Sequence, residues 1–153
     1  MLGRDDLDRL RPPLAEALVR EDFPAFDARL IETAQPLDYG KVVEQLWPAG
    51  TCKGCNAARL KEIELARARS TAVMGPLTFA ECVTRTDPAS AHKMLMSETD
   101  TPEESAALRA LGSAFEQCVV AGDEFKIVLV DLRTSLALSY YRLAHAPRVR
   151  TKG

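Results

Sequence analysis

The residues of this 153-residue chain best suited to chemistry are its four cysteines, Cys52, Cys55, Cys82 and Cys118. Cys52-Lys53-Gly54-Cys55 has the CxxC spacing at which two thiolates share a zinc ion or cycle between dithiol and disulfide. Redox chemistry of the thioredoxin type wants that motif after a strand and at a helix N-terminus. Asn56 can open a helix behind Cys55, but the upstream Pro48-Ala49-Gly50-Thr51 is no strand, and no βαβ pattern surrounds it. Zinc needs four ligands, and the full pattern C-x2-C-x26-C-x35-C supplies one knuckle and two isolated thiols. Cys52 and Cys55 are therefore expected as a structural disulfide or as buried free thiols, with no cofactor; zinc binding or thiol redox at this pair is the alternative. Cys82 and Cys118 lie on the inward faces of two helical patterns separated by a third. Either a bridge or two small buried hydrophobes suits them.

No other residues form a catalytic constellation. G-x-S-x-G, S-x-x-K, P-loop and dinucleotide fingerprints are missing from the sequence, so the reading leans to a non-enzymatic protein. His92, in a short helix after Pro88, is expected at an exposed polar position. His145, near the end of the last helix, is accounted for by the helix dipole and should be structural or solvent-facing.

The elements that must hold these residues are helices. Forty-one residues are Ala or Leu and only 13 are Val or Ile, a balance that favours helix over sheet. Pro12-Pro13 precedes a first segment with Leu10, Leu14 and Leu18 on one stripe, and Pro24 opens a second carrying Phe26, Leu30 and Ile31. Asp38 caps a third with Tyr39, Val42, Val43, Leu46 and Trp47 on one face. Asn56 caps a charged helix to about Ser70, and Gly75-Pro76 ends the following connection before a separate helix from Leu77 to about Arg85. Asp87-Pro88 and Thr101-Pro102-Glu103-Glu104 are further start signals, the latter for a helix bearing Leu108, Leu111, Phe115, Cys118 and Val119. Phe125 to Val130 reads as extended, and Asp131 caps a last helix with Leu132, Leu136, Tyr140 and Leu143 along one side. The expected fold is all-α: a compact bundle of about six to eight short helices, with at most a minor extended pairing near residues 125–130. It forms a single domain over 1–153, divisible into packed halves 1–75 and 76–145, with 146–153 a flexible basic tail.

Charge narrows the partners. Twenty bases against 22 acids leave a net charge of −2, which argues against a dedicated nucleic-acid or anionic-membrane binder. Lys53, Arg59, Lys61, Arg67 and Arg69 are interrupted by Glu62 and Glu64, so they read as a solvated mixed face. No run approaches the roughly 20 apolar residues of a membrane span, and the acidic Met1-Leu2-Gly3-Arg4-Asp5-Asp6 start does not read as a signal peptide. The location is expected to be periplasmic or extracellular if a leader has been removed, and cytoplasmic otherwise.

Three segments carry a resemblance. Phe79-Ala-Glu-Cys82-Val-Thr-Arg-Thr-Asp87-Pro88, the stretch from Glu104 to Cys118, and Leu132-Arg133-Thr-Ser-Leu136-Ala-Leu-Ser-Tyr140-Tyr141-Arg142-Leu143 follow one another. Together, over residues 77–144, they resemble a module of uncharacterised small exported helical proteins of Gram-negative bacteria. The resemblance implies export and a Cys82 to Cys118 disulfide, and supplies no activity or substrate; Cys52 and Cys55 lie outside it. The reading that results is an exported structural or protein-interaction protein, stabilised by disulfides, with a protein partner that includes a second copy of the chain.

Overall fold

A computed structural model describes residues 14, 16–48, 52–119 and 127–148. Among these, eight helices and no strand are found, the all-α architecture expected. They are α1 (16–22), α2 (Ala28–Glu32), α3 (Tyr39–Leu46), α4 (Ala57–Thr86), α5 (Pro88–Met96), α6 (Pro102–Ala110), α7 (Gly112–Cys118) and α8 (Leu129–His145).

Local side chains start most of them. Asp38 accepts from the Lys41 amide at 3.0 Å, Asn56 from Arg59 at 2.9 Å, Asp87 from Ser90 at 3.0 Å and Thr101 from Glu104 at 3.2 Å. Each satisfies an amide that has no partner within its helix. Pro88 and Pro102 occupy first-turn positions, where a missing amide hydrogen costs nothing. The second helix begins later than Pro24, because Asp27 caps it and Phe26 lies outside it, 42% exposed.

The main departure is α4. Instead of two helices separated at Gly75-Pro76, a single 30-residue helix of about 45 Å runs through Pro76. Proline has no hydrogen to donate to the Ala72 carbonyl, a loss that ordinarily breaks a helix. Here the turns beyond Pro76 pack on α8, with Ser139 Oγ donating to the Leu77 carbonyl at 3.4 Å and Arg142 pairing with Glu81. Tertiary contact outweighs the local preference. The partners advance in the same direction along both helices, so α4 and α8 run parallel, and α5 to α7 form the return between them.

Conversely, the helix expected from Thr101 to Val119 is divided at Leu111, which ends α6 and begins α7 while its side chain stays fully buried. The last helix starts at Leu129, two residues before Asp131; Asp131 lies in its first turn rather than at its cap. Val128 is extended and 129–130 are helical, and residues 125–126 of the expected extended stretch fall outside the described residues. Of residues 146–153, Arg148 bridges Ala34, and its guanidinium caps the Leu143 and Ala144 carbonyls at the end of α8.

The core is organised around α8, which buries Leu132, Leu136, Ala137, Tyr140, Leu143 and Ala144. Val19, Ile31, Val83, Met94, Leu95 and Leu111 close around that face. The stripe expected on the first helix is displaced: Val19 is fully buried and Leu14 is 59% exposed.

A charge lies inside this core. The Arg133 guanidinium is bound on one edge by both oxygens of Glu16 (3.0 and 3.1 Å), on the other by Glu104 Oε1 (2.7 Å), and donates to the Ser97 carbonyl at 3.1 Å. Burial alone would lower the Arg133 pKa, but hydrogen bonds to Glu16 and Glu104 outweigh it and the net direction is upward. Arg20 donates to the same Ser97 carbonyl at 2.7 Å, so two cations meet the C-terminal end of α5. Glu104→Ala should destabilise the protein by about 3 kcal/mol in urea denaturation, because it leaves a buried guanidinium half-paired. A loss below 1 kcal/mol, on the order of that for an exposed pair, would show that Arg133 is not held as described.

Candidate functional site

Cys52 and Cys55 are bonded to each other, with a Cα separation of 5.3 Å. The turn that joins them is closed by the Cys55 amide donating to the Cys52 carbonyl at 3.1 Å. Gly54 takes φ +84, and a β-carbon there would meet no atom within 4 Å; the backbone conformation, not crowding, calls for glycine. Asn56 then caps α4. The motif therefore leads directly into a helix N-terminus, the positive end of the helix dipole. Cys52, Lys53 and Gly54 are exposed and Cys55 is half-buried.

The surroundings of this turn are remote from the core. In α4, no residue before Ala80 is fully buried. The early turns are flanked by α3, to which Arg67 connects by donating to the Trp47 carbonyl at 2.7 Å and pairing with Glu44. Arg59 pairs with Glu62 at 2.9 Å, both well exposed, as the mixed-charge pattern implies. The zinc alternative concerns the reduced pair only, since the disulfide occupies both sulfurs.

Cys82 and Cys118 form the second disulfide, with a Cα separation of 5.8 Å, and join α4 to α7. One turn earlier on both helices Phe79 stacks on Phe115, ring centroids 5.8 Å apart. The bridge thus reinforces an existing aromatic contact. It spans 36 positions, against three for the CxxC bridge. Loop-closure entropy gives about 4 kcal/mol for Cys82–Cys118 and about 2 kcal/mol for Cys52–Cys55.

Two polar sites emerge that sequence reasoning missed. His92 is 7% exposed rather than on the surface: its Nε2 donates to the Phe23 carbonyl at 2.7 Å, and its ring lies between Phe26 and Tyr140 at 5.6 and 5.7 Å. A carbonyl can only accept, so the hydrogen resides on Nε2. His92 borders a groove of about 680 Å³ between α5 and α6, also lined by Pro24, Lys93, Met96, Glu103 and Ala107. His145 is solvent-facing as expected, 3.6 Å from Asp22 and packed on Tyr141.

The second site is centred on Glu81, buried in α4 and paired with Arg85 at 3.2 Å and with Arg142. Arg85 also donates to the Ala34 carbonyl at 3.2 Å, and Arg142 lies 5.8 Å from the ring centre of Tyr39. Burial, reinforced by a hydrogen bond to Glu81, pushes the Tyr39 hydroxyl from 10.0 up to about 12. Burial and then the charge of Asp27 push Tyr140 up to about 12 as well. The signal for these sites was a charged residue on an apolar helical face: Glu81 beside Ala80 and Val83, Arg133 beside Leu132 and Leu136. Glu81 directly precedes Cys82 in α4, and the fold does not bring the two cysteine pairs together into one cluster.

No family model, curated protein or solved structure matches the chain.

Replacing Cys82 and Cys118 by Ala should lower stability by about 4 kcal/mol, and replacing Cys52 and Cys55 by at most about 2 kcal/mol. Urea midpoints measured with each pair removed provide the check, and equal losses would contradict the assignment. In alkali, the raised tyrosine pKa values stabilise the fold fully below pH 10.0, where unfolded tyrosine is still protonated, and that contribution is lost as pH rises towards 12. Tyrosinate absorbance from Tyr39 and Tyr140 should accordingly emerge together with loss of helical circular dichroism across this window. Full ionisation with the helices intact would show that both hydroxyls reach water freely.

Proposed function

We propose that this chain is an exported, non-enzymatic helical protein of structural or interaction type, stabilised by its disulfides in an oxidising compartment and acting through its helical surface on a protein partner. The observation that carries the reading is the pairing of all four cysteines, with none left free. Disulfides persist outside the reducing cytoplasm and are rare within it. The resemblance over residues 77–144 supports the same location and the same Cys82 to Cys118 pairing.

Interaction is favoured over catalysis by how the buried charges are used. Arg133 is bound by Glu16 and Glu104, and Glu81 by Arg85 and Arg142, so these groups join helices to one another. Meanwhile Leu65 and Val73 on α4, and Val130 and Leu138 on α8, are between 41% and 64% exposed. Large apolar side chains left in water at helical spacing suit contact with another protein, a second copy included.

Fractionation of the native cell, followed by intact mass with and without thiol alkylation under denaturing conditions, tests the proposal. The expected outcome is protein outside the cytoplasm, four hydrogens lighter than the fully reduced chain and unmodified by alkylating reagent. Recovery from the cytoplasm with four alkylated cysteines would overturn it.

A further inference from the structure

We infer that Cys52–Cys55 is a thiol–disulfide exchange site, accepting two electrons from a dithiol, while Cys82–Cys118 is the bridge that ties core helices together. The inference does not rest on export, since it requires only that a dithiol reach the motif. Three observations converge on it.

The first is access. Cys52 and the two residues after it are exposed, so a thiolate can approach the Cys52 sulfur, whereas Cys82 and Cys118 sit partly buried beside Phe79 and Phe115. The second is independence from the fold. The turn has its own hydrogen bond from Cys55 to Cys52, α4 has its own cap in Asn56, and the first fully buried residue of α4 is Ala80, more than six turns away. Opening this bridge releases nothing that the core requires. The third is the leaving group. Cys55 immediately precedes the cap of a 30-residue helix, and Lys53 adds a positive charge inside the motif. Both stabilise the sulfur as thiolate, and a thiol of lower pKa leaves faster.

The step balances without any further reagent. One thiolate of the dithiol attacks Cys52 Sγ, the Cys52–Cys55 bond breaks, and Cys55 departs as a thiolate that takes up a proton. The second thiol of the dithiol, deprotonated, attacks its neighbour's sulfur in the mixed disulfide. Cys52 then leaves as a thiolate and is protonated. Two electrons and two protons have passed from the dithiol to Cys52 and Cys55, and the dithiol has become a disulfide.

Dithiothreitol serves as the dithiol probe, with the oxidised full-length chain compared against the oxidised peptide of residues 48–57. Acid-quenched samples are alkylated and the modified cysteines located by mass. The expected result is opening of Cys52–Cys55 about tenfold faster than in the peptide, with Cys82–Cys118 closed and the helical circular dichroism unchanged. A rate equal to or below that of the peptide overturns the inference, as does loss of helix on opening. A second measurement follows Cys55 in the Cys52→Ser variant by its alkylation rate against pH. Its half-maximum is expected below that of the same cysteine in the Cys52→Ser peptide, and coincident profiles would likewise overturn the inference.

Discussion

Arg133 carries its charge at a point where only 2% of the residue meets water, and the arrangement of the surrounding helices is best understood as the means of keeping it there. Removing a guanidinium from solvent costs several kcal/mol, which only well-aligned partners offset. Those partners come from three other places: Glu16 on α1, Glu104 on α6 and the Ser97 carbonyl after α5. A planar guanidinium presents its donors in fixed directions, so each partner must approach along a defined line. Apolar contact supplies attraction with little directional content, and the ion cluster fixes which turn of each helix faces α8. Glu104 has a second duty that tightens this coupling. Its other oxygen accepts from the Asp100 amide at 2.9 Å, tying the start of α6 to the same carboxylate.

The other cluster plays the matching part at the far end. Glu81 joins α4 to α8 through Arg142, and Arg85 on α4 reaches the Ala34 carbonyl after α2. Parallel helices in direct contact need a long return, and α5 to α7 provide it; the Cys82–Cys118 bond clamps the end of that return to the last turns of α4. Beyond this clamp, the first half of α4 carries the CxxC turn away from the core, with α3 alongside it among the described residues. One helix thus has a half fixed by burial and a half available for chemistry.

What could be read from residues alone follows the range of the interaction responsible. Asp38, Asn56, Asp87 and Thr101 were legible as caps because capping involves amides two or three positions away. Pro76 misled for the same reason: its local preference is to end a helix, and contacts of α8 some 62 positions distant decide otherwise. The break at Leu111 was hidden inside an unbroken apolar pattern. His92 looked polar and is buried, since its acceptor, the Phe23 carbonyl, lies 69 positions back in the chain. The CxxC turn was legible as a motif, but its accessibility and its distance from the core depend on how α4 continues through Pro76.

The pairing of Arg133 with Glu16 spans 117 positions, and that separation governs when the protein can become itself. A contact of such range pays its loop-closure entropy late and cannot form while the chain is incomplete. During synthesis every helix before α8 emerges with the face that α8 will cover still open, and Glu16 and Glu104 wait without their cation. The last of the described helices therefore acts as a keystone: until it leaves the ribosome, the face that Leu132, Leu136, Tyr140 and Leu143 will cover stays open.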